Sequence, residues 1–205
     1  MSCVAALVHD GTVHLAADSF HGFNNRRVPG DRSTSKLFRH PSGLIIGSTG
    51  PCDAARRLRT LTLPSIGAGQ TIESYALDTL CPAMASHAGG DVEYLVALDG
   101  LLFHGFSDGT AFPAVDGFAA IGSGGMYALG SLATPSDGAP ATRVRRAVRI
   151  AERYTPTVAG PFVELAGKAA TRIPGRERGG IKVEFKDAWR GEGDVIDLAK
   201  HRAAA

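Results

Sequence analysis

The chain has 205 residues, of which 44% are hydrophobic and 20% charged. That length suits a single domain, and that composition excludes a wholly disordered chain. A net charge of +2 leaves no electrostatic footprint of a nucleic-acid binder, and no run approaches the roughly 18 apolar residues of a membrane span. The apolar start, Met1–His9, lacks a basic flank and runs straight into a turn, so it does not read as a signal peptide. Three cysteines (Cys3, Cys52, Cys81) without CxxC spacing argue against a disulfide framework and point to a reducing, cytoplasmic setting. The seven histidines hold no HExxH-like pair, so no metal site is expected. Among the basic residues arginine predominates. Lys36 is the single lysine before Lys168.

In chain order, residues 3–9 and Thr12–Ala17 predict a hairpin closed by Asp10-Gly11, an Asp-Gly turn signal. Asp18 ends it. Residues 19–35 are polar and predict a loop. Lys36–His40 and Leu44–Thr49 predict a second hairpin. A helix is predicted from Gly50-Pro51 through Leu58, with proline in its first turn. Ile72–His87 predicts another helix, kinked at Pro82. Asp91–Leu98 and Leu101–Phe106 predict a third hairpin around Asp99-Gly100. Its centre, Tyr94–Leu98, is almost all apolar, as in a strand covered on both faces. A short strand is predicted after Gly109, another at Phe118–Ile121, and helices at Met126–Ala133 and Ala141–Arg153. The last of these places Val144, Val148 and Ala151 on one face. Pro161–Ala166 and Ile181–Phe185 read as late strands, and residues 188–205 as a polar tail. The order predicts an α+β chain, two packed sheets with helices outside both, in one domain over residues 2–187.

Three weak chemical signals stand out. Ser2 follows a removable Met1. Trimming would leave a hydroxyl and a free amine on one residue, the amine having an ordinary pKa of about 7.7–8.0. Lys36 is a lone lysine in an arginine-rich background, a type whose pKa responds to burial, and Asp18 is placed to pair with it. Gly122-Ser123-Gly124-Gly125 opens a helix, where glycines allow close backbone approach and amides stand free.

The order and spacing of four segments resemble the proteasome β-subunit and HslV-type peptidases of the N-terminal-nucleophile (Ntn) hydrolase superfamily. They are the opening Ser2 through Ala16-Ala17-Asp18-Ser19, then Lys36-Leu37-Phe38, then the run Ile121-Gly122-Ser123-Gly124 with Tyr127-Ala128-Leu129-Gly130, and finally Val144–Ala151 with Gly160-Pro161-Phe162-Val163. The resemblance implies a four-layer αββα sandwich. It places Ser2 as nucleophile, Asp18 and Lys36 as the charged pair beside it, Gly50 as the oxyanion amide and Ser123 near the nucleophile's amine. It implies peptide-bond cleavage inside a homo-oligomeric ring, with polypeptide substrates, an ATP-driven unfoldase as partner and no cofactor. One departure is clear. Where the family usually carries an Asp and, three residues later, a Ser, the stretch Tyr154–Gly160 has Thr155 and Val158 and no carboxylate. That departure keeps open a non-catalytic ring or scaffold subunit as the alternative. Hydrolysis of a small-molecule amide is a third reading.

Overall fold

Asp10 and Gly11 both hold positive φ, 48° and 66°, the geometry of the type I′ turn that closes a two-residue hairpin. The computed structural model describes residues 2–23, 26–28, 34–167 and 172–176 and puts this turn between β1 (Val4–His9) and β2 (Thr12–Ala17). Next come β3 (His21–Phe23), β4 (Arg26–Val28), β5 (Leu37–Arg39) and β6 (Ile45–Thr49). Helix α1 (Ala54–Arg59) leads to a longer helical run of α2 (Ile72–Tyr75), a π turn (Ala76–Leu80) and α3 (Cys81–Ala88). β7 (Glu93–Leu98) and β8 (Leu101–Phe106) close around Asp99-Gly100, again both at positive φ. Then follow β9 (Ala111–Pro113), β10 (Phe118–Ile121), α4 (Gly125–Ala133), α5 (Pro140–Tyr154) and β11 (Val163–Gly167).

The strands form two antiparallel sheets, ordered β10-β1-β2-β11 and β5-β6-β7-β8-β9, besides the β3-β4 ribbon. The period-two alternation of each strand sorts its side chains between layers. Val4, Ala6, Val13, Leu15 and Ala17 of the first sheet meet Leu37, Ile45, Leu95 and Leu102 of the second, forming the core between the sheets. The opposite face of the first sheet, with Cys3, Ala5 and Leu7, packs on Ala128, Leu132, Val144, Val148 and Ala151 of α4 and α5. The outer face of the second sheet, with Ile46, Tyr94, Val96 and Phe103, packs on Leu58, Leu80 and Met84 from α1, the π turn and α3. The predicted α+β arrangement of two sheets between helix layers is what forms. Tyr94–Leu98 is buried on both faces, as its apolar run indicates.

Several local expectations are corrected. Residues 19–35 read as loop, yet His21↔Val28 and Phe23↔Arg26 pair as the β3-β4 ribbon. The first helix starts at Ala54 rather than at Gly50-Pro51. Gly50 sits at φ 121°, outside helical geometry, and Ala54 N–H donates to Pro51 C=O in a turn. The discontinuity near Pro82 takes the form of the π turn just before it. Proline has no N–H to return to residue 78, and a wider turn absorbs the lost register. The late strand begins at Val163 rather than Pro161. The predicted strand at Ile181–Phe185 and the tail at 188–205 lie outside the described residues.

Packing between β7 and β8 is tight at Gly105. A Cβ there would meet the Tyr94 ring at 2.3 Å, and that ring is fully buried, with its hydroxyl donating to Cys81 C=O at 2.7 Å. Gly105→Ala is therefore expected to destabilise the fold by about 1–3 kcal/mol, read as a lower urea midpoint at unchanged slope.

Candidate active site

Residue 2 lies where three elements converge. Its backbone nitrogen precedes β1 and donates to Ser123 Oγ at 3.1 Å. Its carbonyl accepts from Gly124 N–H at 3.0 Å. The Ser123 hydroxyl lies 3.3 Å from that same carbonyl and 3.0 Å from Thr157 Oγ1. The Gly122–Gly125 turn thus wraps residue 2. Gly122 has φ 84°, and a Cβ on it would stand 2.4 Å from the Ser2 carbonyl oxygen, so only glycine fits. Ser2 is itself 3% exposed.

The next residue is held from the other side. Asp18, just past the end of β2, is fully buried and accepts from Cys3 N–H at 2.8 Å and from Phe20 N–H at 2.9 Å. Both of its oxygens also lie 2.8 Å from Lys36 Nζ. Lys36 precedes β5, and its carbonyl accepts from Ser48 N–H at 2.8 Å, which fixes it against β6. The side chains of this ion pair are 6% and 0% exposed. Burial pushes the Lys36 ammonium below the usual lysine range, and the Asp18 carboxylate opposes that fall without cancelling it. Cys3, also next to residue 2, holds an unreactive thiol. It is fully buried on the helix-facing side, and desolvation pushes its thiol up to about 12.

Ser2, Lys36, Ser48, Thr49 and Gly50 line one open cleft, with Thr34, Phe20, His21 and Cys52 along its walls. Gly50 holds φ 121°, and a Cβ on it would meet Asp91 C=O at 2.4 Å, so glycine is required where the chain turns away from β6. All five sequence-predicted site residues fall in this neighbourhood. Ser2, Asp18, Lys36 and Ser123 are joined through hydrogen bonds at residues 2 and 3, and Gly50 shares the cleft with Ser2 and Lys36.

Thr155 and Val158, the positions the sequence matched by counting, bring no polar group to the site. The Thr155 hydroxyl is buried without a partner among the described residues, and Val158 packs in the core against the first sheet. Thr157, one residue short of Val158, supplies the hydroxyl that reaches Ser123. Sequence reading missed it, and a Thr-Pro-Thr turn carries no periodicity that would single out its second threonine. It also missed Glu93, whose carboxylate accepts from Gly122 N–H at 3.0 Å. Among the described residues, no group of three or more His, Cys, Asp or Glu is arranged to hold a metal ion, and no helix is long and apolar enough to cross a membrane.

The buried pair makes two stability predictions. Lys36→Met strips Asp18 of its cation and is expected to cost about 3–5 kcal/mol in urea unfolding. Because folding lowers the Lys36 pKa from 10.5, the folded protein binds fewer protons there than the unfolded chain just below that pH. This group's contribution to stability therefore rises with pH through that window. The rise should be present in the wild type and missing from Lys36→Met when unfolding is repeated across alkaline pH.

No protein-family model matches the sequence, and no curated protein matches it either. Solved structures do match the fold. Thiobacillus denitrificans BPH, at 21% identity, has a TM-score of 0.62 over 80% of this chain and 97% of its own. The same protein in complex with epoxomicin matches equally well. Eukaryotic HslV from Trypanosoma brucei, at 19% identity, has a TM-score of 0.62 over 80% of this chain and 98% of its own. Anbu, an ancestral beta-subunit from Yersinia bercovieri, at 14% identity, reaches 0.59 over 80% of each chain. The chain therefore has the Ntn-hydrolase sandwich fold of HslV and its β-subunit-like neighbours, the fold its sequence motifs implied.

Proposed function

We propose that the chain is an N-terminal-nucleophile peptidase in which Ser2, freed by removal of Met1, cleaves peptide bonds. One observation carries this reading. The residue-2 nitrogen rests on Ser123 Oγ, while the buried Asp18–Lys36 pair is bonded to the very next amide. A nucleophile at the start of a strand is thus gripped on both sides, beside a cation and an open cleft.

The chemistry follows from those placements. The α-amine freed at Ser2 takes the hydroxyl proton as Oγ attacks the substrate carbonyl carbon. Lys36 favours this step by stabilising the developing alkoxide, and its charge keeps the resting amine unprotonated and so free to accept. Gly50 N–H donates to the oxyanion of the tetrahedral intermediate, an interaction worth about 2.7–4 kcal/mol for one such donor elsewhere. Collapse of the intermediate passes a proton to the leaving amine and leaves an ester on Ser2. Water then attacks the ester carbonyl, the bond to Ser2 Oγ breaks, the acyl half leaves as a carboxylic acid and a proton from the water restores the hydroxyl. No cofactor is needed for any step. On the resemblance already described, the subunit works in the cytoplasm within a homo-oligomeric ring that admits polypeptides delivered by an ATP-driven unfoldase. The epoxomicin complex of the Thiobacillus denitrificans protein makes epoxomicin a natural probe for this cleft.

A second reading, a non-catalytic ring subunit, is favoured by one feature. The stretch that follows α5 offers hydroxyls and no carboxylate near Ser123, and the Thr155 hydroxyl has no partner among the described residues.

The peptidase reading predicts that Ser2→Ala reduces hydrolysis of a fluorogenic peptide to background. Lys36→Arg, which keeps the charge but not the compact ammonium, should lower kcat by about 10²–10³. Activity should rise with pH as the amine loses its proton, with its midpoint below the ordinary amine pKa of about 7.7–8.0 because the Lys36 charge disfavours the protonated amine. Full turnover in Ser2→Ala contradicts the reading.

A further inference from the structure

The Gly122–Gly125 turn holds residue 2, but its own support comes from the opposite sheet. Glu93 is the first residue of β7, in register with Thr49 of β6. Its backbone therefore pairs with the residue immediately before Gly50. Its side chain reaches the other way. Oε2 accepts from Gly122 N–H at 3.0 Å, and Oε1 lies 2.9 Å from His104 Nε2. His104 sits on β8, diagonally across the ladder in which Glu93 faces Phe106. Its ring lies against the Phe106 ring, with centroids 4.4 Å apart, so the carboxylate is braced on the side away from the turn.

The packing leaves the turn little other freedom. A Cβ on Gly122 would stand 2.4 Å from the Ser2 carbonyl oxygen and 3.0 Å from Thr49 Cγ2. Movement of Gly122 would therefore be felt at residue 2 on one side and next to Gly50 on the other. Gly124 N–H holds the Ser2 carbonyl and Ser123 Oγ holds the Ser2 nitrogen, both one or two residues from the amide that Glu93 grips. His104 and the hydrogen bond from Gly122 hold the Glu93 carboxyl below its usual range, so it is an anion at neutral pH and the bond to Gly122 is charge-assisted.

We infer that Glu93 is a positioning residue for the nucleophile: it ties the Gly122–Gly125 turn to the sheet that carries Gly50, and so sets the distance between Ser2 and the oxyanion donor. This inference rests on the hydrolase reading of the site. It adds to that reading a residue from the second sheet that touches neither substrate nor nucleophile and acts through Gly122.

The test combines amide hydrogen exchange with acylation of Ser2 by a β-lactone, the latter resolved into a maximal rate and a half-saturating concentration. Glu93→Ala removes the acceptor. Glu93→Asp keeps the charge but is one methylene too short, and Glu93→Gln keeps an oxygen at full reach. In the Ala and Asp variants, Gly124 N–H is expected to exchange about tenfold faster while the Val4 amide in the β1 ladder is unchanged. The maximal acylation rate should fall about tenfold with the half-saturating concentration unaltered. Glu93→Gln should recover most of both losses, which a merely charged role would not produce. If Glu93→Ala does not fold, the Asp variant decides by the same two measurements. Wild-type exchange at Gly124 and wild-type maximal rates in both the Ala and Asp variants overturn the inference. If wild-type Ser2 is not acylated at all, the hydrolase reading fails, and the exchange comparison alone decides whether Glu93 positions residue 2.

Discussion

The site depends on one buried ion pair. Asp18 and Lys36 are both withdrawn from water, and a pair in that state is tolerated only where further hydrogen bonds satisfy the carboxylate. Here they do. Two lysine contacts and the amides of Cys3 and Phe20 surround the Asp18 oxygens. The same bonds that stabilise the charge fix the start of β1 against the end of β2. Geometry and electrostatics are one constraint here. The residue next to the cation cannot shift without exposing a carboxylate to an unpaired state.

The two sheets serve that constraint differently. The first sheet places residue 2 at the end of its inner strand, with Val4 and Ala6 locked in the core between sheets and Cys3 and Ala5 locked under α4 and α5. The second sheet brings Lys36, Ser48, Thr49 and Gly50 to the same end through β5 and β6. The sheets approach closely there. A Cβ on Gly47 would lie 2.5 Å from Val4 Cγ1. The cleft forms where this close packing ends and the chain turns away at Gly50. The carboxylate of Glu93 spans the two layers at that end, linking the turn that cradles residue 2 to the strand beside Gly50.

Much of this was legible in the sequence, for physical reasons that differ by element. The first and third hairpins announce themselves because an Asp-Gly turn needs positive φ at two positions and the flanking strands show the burial pattern of their layer. Helix α5 is legible because its apolar residues recur at helical spacing. The β3-β4 ribbon was not, since three-residue strands in a polar segment carry no alternating apolar face. Pro82 signalled a break, but not that the break would be absorbed as a π turn. Within the site, Ser2, Asp18, Lys36, Gly50 and Ser123 were named from ordered motifs. Glu93 and Thr157 escaped, because neither belongs to one of those motifs and only the folded chain brings them to Gly122 and Ser123. A strand-leading glutamate has no local mark, and a threonine in a turn has none either.

The central claim is that a free Ser2 is the nucleophile, and its most direct test is the N-terminal mass of the purified native protein before and after treatment with epoxomicin or a β-lactone. The account predicts a chain beginning at Ser2, with the probe's added mass confined to that residue. A retained Met1, or a probe adduct at any other residue with Ser2 unmodified, would contradict it.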